Sequence, residues 1–206
     1  GEIGMAMFLG TEEGPGLPLW LMPTQRALIR LKHRGPRDHG DVQAPKITWL
    51  EATRGRLLGM DKTSRLPRLP LPARLQRVVS EIRDLEHKNA APWTPHVLPV
   101  QLVVLGNIAI AAAPGEFTTV AGRRVRQVVQ RELQAMGVTH VIFAGYANNY
   151  AGYVTTPEEY EQQAYEGAST HFGKWTLPAY LTAFRQLARK IANQRLIRRE
   201  IRDMHA

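Results

Sequence analysis

Two short apolar stretches separated by Gly106-Asn107 give the clearest strand pattern in the chain. Residues 100–105 and 108–112 consist almost entirely of valine, leucine, isoleucine and alanine. Apolar segments joined by two residues such as Gly and Asn are typical of a tight β-hairpin. The pattern therefore predicts a hairpin over residues 100–112.

A helical stripe follows this hairpin and leads into another strand pattern. The stripe ends before Gly137 and consists of Ala121, Val125, Val128, Val129, Leu133 and Met136. This spacing predicts an amphipathic helix, and a glycine directly after the last periodic residue favours its end there. The next residues, 138–144, are apolar and partly β-branched, which predicts a short strand buried on both faces.

Three further helices are predicted by spacing and capping signals. Residues 72–89 carry apolar side chains at helical spacing, Thr156-Pro157 resembles a capped helix start with Glu159 three residues after the cap, and residues 177–204 form a long helical pattern. The last helix has one apolar face, formed by Leu181, Phe184, Leu187, Ala188 and Ile191. Residues 1–72 are rich in Gly and Pro turn signals, so we expect long loops there.

Together these elements predict an α/β fold with a mixed sheet flanked by helices. The predicted organisation is a loop-rich segment with one helix over residues 1–98 and an α/β segment over residues 99–206. In such folds, chemistry is usually placed where strands end and helices begin. Glu116 and Tyr150 to Tyr153 fall at junctions of this kind.

Composition narrows the function classes. The net charge of +9 favours anionic partners, but the basic residues are mixed with acids on helix-like stretches and no nucleic-acid-binding motif accompanies them. The absence of cysteine means that a metal would be held by His, Asp, Glu or Tyr. The first residues lack the features of a signal peptide and an initiator Met, so we expect a processed chain or a piece of a longer one.

Glu116 and a group of tyrosines are the candidate functional residues. Glu116 follows Pro114-Gly115 at a predicted helix start, where a carboxylate is favoured by unpaired backbone N–H groups whether or not it has a further role. Five of the six tyrosines lie between positions 146 and 165. Their phenols could donate hydrogen bonds or bind a cation, or could simply form the wall of a core or pocket.

Two long motifs resemble the neutral (neutral/alkaline) ceramidase family. They occupy residues 106–124, which contain Pro-Gly-Glu-Phe-Thr, and residues 149–170, which contain Tyr-Ala-Gly-Tyr-Val-Thr-Thr. The resemblance is strong over residues 99–184, is looser over residues 4–16, and indicates the C-terminal part of the catalytic region of a larger enzyme. Members of this family hydrolyse the N-acyl amide of ceramide to sphingosine and a fatty acid at a zinc ion.

The resemblance implies a role for three residues. The family's zinc is held by two His, one Glu and one Tyr, and the last two correspond to Glu116 and Tyr153. The tyrosine of the family's Gln-x-x-Tyr-Glu motif corresponds to Tyr165, which would help to stabilise the oxyanion at the attacked carbonyl. Ceramide or a related N-acyl lipid is the implied substrate.

The same resemblance implies that part of the active site lies outside this chain. The family's nucleophilic Ser belongs to a Gly-Asp-Val-Ser-Pro-Asn motif that this sequence lacks, and neither His33 nor His39 lies in a family-like context. We therefore expect a complementary N-terminal half of the catalytic region, and we expect His96, His140 and His171 to be surface or satisfied core residues. The family implies a secreted or extracytoplasmic enzyme at a membrane surface.

Two alternative functions remain open from the sequence. A non-catalytic relative of the same fold could use its basic surface to bind lipid or a partner protein, and it would hold no metal at Glu116 and Tyr153. A nucleic-acid-binding protein is favoured by the net charge alone and would show strongly salt-dependent binding.

Overall fold

The structure is a computed structural model that describes residues 1–9, 42–51, 56–57, 94–95 and 97–204. The chain divides into two compact units. The first unit comprises Gly1–His96 and Glu159–Gly173, and the second comprises Val97–Glu158 and Lys174–Ala206. The division into segments 1–98 and 99–206, which was inferred from the sequence pattern, stays a prediction.

The fold is mixed α/β, as predicted, and its elements are short apart from two helices. The strands are β1 (Glu2–Gly4), β2 (Thr48–Glu51), β3 (Arg56–Leu57), β4 (Gln101–Leu105), β5 (Ile108–Ala112), β6 (Glu116–Phe117), β7 (His140–Ala144) and β8 (Tyr153–Val154). The helices are α1 (Thr119–Leu133), α2 (Pro157–Gln162), α3 (Tyr165–Ala168) and α4 (Thr176–Met204), with 3-10 turns at Met5–Leu9 and Gln134–Met136.

The second unit is built on the sheet β4-β5-β7, and the predicted hairpin is confirmed. β4 pairs with β5 antiparallel through the turn at Gly106, whose φ of 61° is a conformation that glycine adopts without a steric cost. α1 then returns the chain so that β7 lies parallel to β5. Val103, Ile110 and Ile142 occupy equivalent positions on the three strands.

α1 confirms the predicted helical stripe and forms the core with α4. Thr118 caps the helix by accepting a hydrogen bond from the Ala121 backbone N–H at 3.3 Å, and the turn after it ends at Gly137 with φ 84°. Within this unit the core is lined by Ala109, Ala111, Ala121, Val125, Val129, Leu133, Leu177, Tyr180, Phe184 and Ala188. The apolar face of α4 therefore includes Leu177 and Tyr180, whereas the predicted Leu187 lies outside this cluster.

The prediction that residues 138–144 form a strand buried on both faces is wrong. The strand begins at His140, and along it Val141 and Phe143 pack on the core while Ile142 is exposed. The alternation arises because α1 and α4 lie on one face of the sheet, so that only every second side chain is covered. The apolar composition alone could not distinguish a covered strand from a half-covered one.

The first unit contains a small sheet where the sequence predicts long loops. β1, β2 and β3 form an antiparallel sheet, which the turn-rich composition of residues 1–72 hides. Beside it, the buried Lys46 ammonium donates hydrogen bonds to the carbonyl oxygens of Glu2 at 2.9 Å and Thr170 at 2.5 Å and lies 5.3 Å from the centre of the Tyr160 ring. Carbonyl dipoles and an aromatic face stabilise this buried charge.

His171 is not the satisfied histidine that the sequence analysis expects. Its backbone carbonyl accepts hydrogen bonds from the Glu2 backbone N–H at 2.8 Å and from the Gln43 side-chain amide at 2.9 Å. Its buried Nδ1 has no partner among the described residues. Burial, followed by the positive charges of Lys46 and the N-terminal amine, lowers the pKa of His171 to about 4.

Acid should therefore destabilise the chain through His171. The folded-state pKa of about 4 lies below the ordinary value of 6.5, so the unfolded state binds the proton more tightly between these values. The contribution is fully present above about pH 6.5 and is lost as the pH falls towards 4, up to about 3 kcal/mol. Urea unfolding of the His171→Gln variant between pH 7.5 and 4.5 should show a flatter profile than the parent. Equal slopes in the variant and the parent would contradict the assignment.

Several sequence predictions lie outside the described residues, namely the helix over residues 72–89 and the expectations for His33, His39 and His96. His140 is on the surface, as expected. In the part of the chain that the structure describes, no helix is both long and apolar enough to cross a lipid bilayer.

Candidate active site

Glu116 and Tyr153 lie side by side on two neighbouring parallel strands. β6 pairs with β8 so that Glu116 is opposite Tyr153 and Phe117 is opposite Val154. Equivalent residues of paired strands project to the same face, and successive residues project to opposite faces. Phe117 and Val154 pack into the core, which leaves Glu116 and Tyr153 together on the other face.

The core fixes this pair of strands from behind. The Phe117 ring makes edge contacts with the rings of Phe143, at 4.6 Å between centroids, and Tyr180, at 5.1 Å. The backbone N–H of Glu116 also donates a hydrogen bond to the carbonyl of Gly152 at 2.9 Å. A close approach of the strands is possible because Gly115 has no Cβ, which would lie 3.1 Å from the Gly152 oxygen.

The predicted position of Glu116 at a helix start is wrong. Glu116 is in β6, and α1 begins at Thr119 after the capping Thr118. The carboxylate is therefore held by strand pairing and by side-chain hydrogen bonds, and the backbone N–H groups of the first helical turn are capped by a threonine instead.

Three phenols converge on the Glu116 carboxylate. Tyr150 donates a short hydrogen bond to Oε1 of Glu116, and Tyr146 and Tyr153 also donate to this carboxylate. Partial burial acts to raise the pKa of Glu116, but the three hydrogen bonds outweigh it and hold the pKa below its usual range. The bond to Glu116, together with some burial, raises the pKa of the Tyr146 phenol. The site therefore holds one carboxylate anion surrounded by phenol donors.

The loop of residues 145–150 places two of these phenols. Tyr146 and Asn148 have positive φ values of 55° and 65°, which non-glycine residues seldom adopt and which cluster at functional sites. The Tyr146 backbone N–H donates to the Gly115 carbonyl at 3.1 Å, and the rings of Tyr146 and Tyr150 stack with centroids 6.2 Å apart. These contacts hold a strained loop over the carboxylate.

Gly145→Ala should disturb the site through a backbone clash. A Cβ at Gly145 would lie 2.9 Å from the carbonyl oxygen of Gly115, the residue that precedes Glu116. We expect a loss of about 1–3 kcal/mol in the free energy of unfolding, because neither backbone segment can move without breaking its hydrogen bonds. Chemical denaturation checks this value. The matched Gly122→Ala variant, whose Cβ would meet only the Phe143 ring at 3.4 Å, should be neutral or stabilised; equal stability of the two variants would contradict the clash.

Tyr150→Phe should weaken metal binding without harming the fold. The change deletes the phenol that donates to Glu116 and leaves the ring stack with Tyr146. Where a carboxylate binds a metal ion, losing a hydrogen bond to that carboxylate costs about 10–100-fold in affinity. Titration with Zn²⁺ measures the change. Tyr180→Phe is the control, because the buried Tyr180 hydroxyl has no partner among the described residues and its removal should change neither stability nor zinc affinity.

The remaining predicted residues lie elsewhere. Tyr165 is the first residue of α3 in the first unit, whereas Glu116 and Tyr153 belong to the second. Arg124 forms an ion pair with Glu158, at 3.0 Å on the surface. The hydrogen bonds of Tyr146 and Tyr150 to Glu116 were not predicted, and the only signal for them was the concentration of tyrosines around position 150.

The donor set fits one side of a zinc site. A carboxylate and a phenol are oxygen ligands that zinc accepts beside imidazoles. Within the described residues, no group of three or more His, Asp and Glu side chains could hold a metal ion. Glu116 and Tyr153 could therefore supply two zinc ligands. The other ligands of a complete site would come from outside the described residues.

Comparison with protein families decides how this pair is interpreted. The profile "Neutral/alkaline non-lysosomal ceramidase, N-terminal" matches residues 78–182, which is about half of the chain and includes both strands of the pair. The chain belongs to this family. The matching profile describes the N-terminal region of neutral ceramidases. The chain is therefore placed in that region, and the expectation that it is the C-terminal part of the catalytic region is corrected.

Individual neutral ceramidases agree with the assignment. The Pseudomonas aeruginosa enzyme is 50% identical over 107 residues, covering 52% of this chain and 16% of its own length. The Mycobacterium tuberculosis enzyme is 33% identical over 200 residues, covering 93% of this chain and 25% of its own length. The chain thus spans at most about a quarter of the length of these relatives.

Solved ceramidase structures show the same fold. A ceramidase complexed with C2 matches with a TM-score of 0.61 and 32% identity, over 94% of this chain and 26% of the other. Neutral ceramidase from Pseudomonas aeruginosa matches with a TM-score of 0.50 and 44% identity, over 60% of this chain and 20% of the other. Most of the chain therefore has a counterpart within a much larger ceramidase.

Proposed function

We propose that this chain is part of a zinc-dependent amidohydrolase that cleaves the N-acyl amide of ceramide to sphingosine and a fatty acid. Glu116 and Tyr153 would be two of the zinc ligands, and the nucleophilic serine and two histidine ligands would lie in the part of the enzyme outside this chain. We call that part the complementary region.

The pairing of Glu116 with Tyr153 is the observation that carries this proposal. The two residues are separated by 36 intervening positions in the sequence. The fold nevertheless places them directly opposite each other on β6 and β8. Their shared face and the core packing behind them give a preorganised pair of oxygen donors.

Each residue has a separate task in this proposal. When bound, zinc would act as a Lewis acid that polarises the amide carbonyl and would lower the pKa of a coordinated hydroxyl or water. Glu116 and Tyr153 would fix its position, and the phenols of Tyr146 and Tyr150 would orient the Glu116 carboxylate. The Tyr165 phenol would donate a hydrogen bond to the oxygen of the attacked carbonyl, which lowers the barrier as negative charge develops there.

Reconstitution of the two parts tests this function. The complementary region can be supplied as the Mycobacterium tuberculosis enzyme without the stretch that matches this chain. Neither part alone should hydrolyse a fluorescent ceramide, and the mixture should hydrolyse it and retain one zinc ion after gel filtration. A mixture that assembles but neither holds zinc nor cleaves ceramide would support the non-catalytic, lipid-binding or partner-binding relative instead.

The proposed substrate also suggests where the enzyme acts. Ceramide resides in membranes, so the assembled enzyme would work at a membrane surface, and we propose a secreted or extracytoplasmic location as in the family. The net charge of +9 would favour an anionic lipid surface. Fractionation of the native organism, followed by detection of the protein outside the cytoplasm, tests this location.

A further inference from the structure

One face of the sheet β4-β5-β7 is apolar and open to solvent. Leu102, Val104, Ala109, Ala111, Val141 and Phe143 point to the side that packs against α1 and α4. The alternate residues point to the other side. We call the apolar ones the open face, which is bordered by Gln101 and His140 and consists of Val103, Leu105, Ile108, Ile110 and Ile142.

The open face is contiguous and strongly exposed. Val103, Ile110 and Ile142 lie opposite one another on the three strands, and Leu105 pairs with Ile108 beside them. The exposed fraction is 49% at Val103, 62% at Leu105 and 52% at Ile142. Single exposed apolar residues are common, but a continuous row across three strands marks an interaction surface.

The strand arrangement points to the same conclusion. β5 and β7 form a parallel pair, an arrangement found mostly in sheets covered on both faces, although β4 beside them is antiparallel. In the second unit the described helices α1 and α4 contact β4, β5 and β7 from one side only. The open face is therefore rich in valine and isoleucine, which is typical of a sheet face that packs against another layer.

The active-site loop joins the open face at one end. Gln101 precedes Val103 on the same face of β4, and the Asn148 side-chain amide donates to its Oε1 at 2.8 Å. Asn148 belongs to the strained loop that carries Tyr146 and Tyr150. A polypeptide that covers the open face would therefore reach the loop beside Glu116, where the described residues supply only two of the proposed ligands.

The larger size of the relatives indicates which polypeptide covers the open face. This chain matches 94% of its own length to a ceramidase structure but accounts for only 26% of that structure. We infer that the open face docks against an apolar surface of the complementary region, and that this contact holds the missing ligands beside Glu116 and Tyr153. The inference rests on the proposed function only in requiring a complementary region.

Lysine substitutions on the open face test the contact. The double variant Val103→Lys, Ile142→Lys places two charges in register, and Val120→Lys makes the same change at an apolar residue of α1 that is 37% exposed. Each protein is mixed with the complementary region of the Mycobacterium tuberculosis enzyme, and the affinity is measured by fluorescence anisotropy. The double variant should bind at least about tenfold more weakly, because burying unpaired ammonium groups is costly. Val120→Lys should bind like the parent.

Additional measurements separate a lost contact from a lost fold and a lost reaction. Circular dichroism and thermal melting of the free double variant should match the parent, because its two sites are exposed in this chain. A parent mixture that assembles but does not hydrolyse ceramide would refute the proposed function and leave the docking surface standing.

Two results would overturn the inference. The first is a parent chain that does not assemble with the complementary region at all. The second is a double variant that assembles as tightly as the parent. In that second case, a parent chain that dimerises in light scattering while the double variant stays monomeric would assign the open face to a second copy of the chain. Binding to phosphatidylcholine vesicles that only the parent shows would assign it to lipid.

Discussion

Glu116→Gln is expected to abolish zinc retention and ceramide hydrolysis in the reconstituted enzyme. Glutamine has the shape of glutamate and can still accept the Tyr150 hydrogen bond through its amide oxygen, so the strand pair β6 and β8 should persist. It lacks the negative charge that a zinc ligand supplies. Since losing only a supporting hydrogen bond costs about 10–100-fold in metal affinity, losing the ligand charge should cost more than about 100-fold. Competition with a fluorescent chelator measures the affinity.

The control for this change is Glu158→Gln. Glu158 is also a glutamate of the second unit, but it is exposed and pairs with Arg124 on the surface. Exposed ion pairs contribute about 0–1 kcal/mol, and we expect zinc affinity and turnover like those of the parent. Zinc affinity within threefold of the parent for Glu116→Gln would remove this residue from the ligand set.

Phe184→Ala should cause the largest loss of stability among single substitutions in the second unit. The Phe184 side chain is fully buried on α4, and its ring lies 6.3 Å from that of Phe143 on β7. Truncation of a buried phenylalanine to alanine costs about 3–5 kcal/mol, because it removes buried apolar surface and leaves a cavity. Because Phe143 also contacts Phe117 beside Glu116, the cavity should loosen β6 as well. Urea denaturation of the chain measures the loss.

Leu105→Ala is the matched control for the core. Leu105 is also a large apolar residue of the second unit, but 62% of it is exposed on the open face. Little contact is lost when an exposed side chain is shortened, so its unfolding free energy should change by less than about 0.5 kcal/mol. Equal losses for Phe184→Ala and Leu105→Ala would mean that the core is placed incorrectly.

The sequence predicted the elements that depend on local signals. The hairpin at Gly106-Asn107, the α1 stripe that ends before Gly137, and the start of α2 at Pro157 are all confirmed, because each depends on neighbouring residues and on turn or capping chemistry. Long-range pairing carries no such signal. In the small first sheet, the pairing of β1 with β2 joins residues about 45 positions apart and was missed for this reason.

The candidate site was predicted in part. The prediction came from resemblance to the family's motifs and not from the spacing of apolar and polar residues. Glu116 and Tyr153 were named from family motifs, but nothing in the spacing of the sequence indicates that β6 and β8 pair in register. The position of Glu116 was predicted wrongly because Pro-Gly-Glu before a helix resembles a helix start. In the structure Glu116 and Phe117 form β6, and the capping Thr118 follows before the helix begins. The half-covered sheet could not be anticipated, since an apolar strand looks the same in sequence whichever layer covers it.

The metal coordination of the assembled enzyme would show whether Glu116 and Tyr153 bind zinc together. A crystal structure of this chain bound to the complementary region, with anomalous data collected at the zinc edge, would locate the ion. We expect one zinc ion whose ligands include a carboxylate oxygen of Glu116 and the phenol oxygen of Tyr153, each at about 2.0–2.2 Å. A zinc ion bound elsewhere, with Glu116 and Tyr153 engaged only with neighbouring phenols, would contradict it.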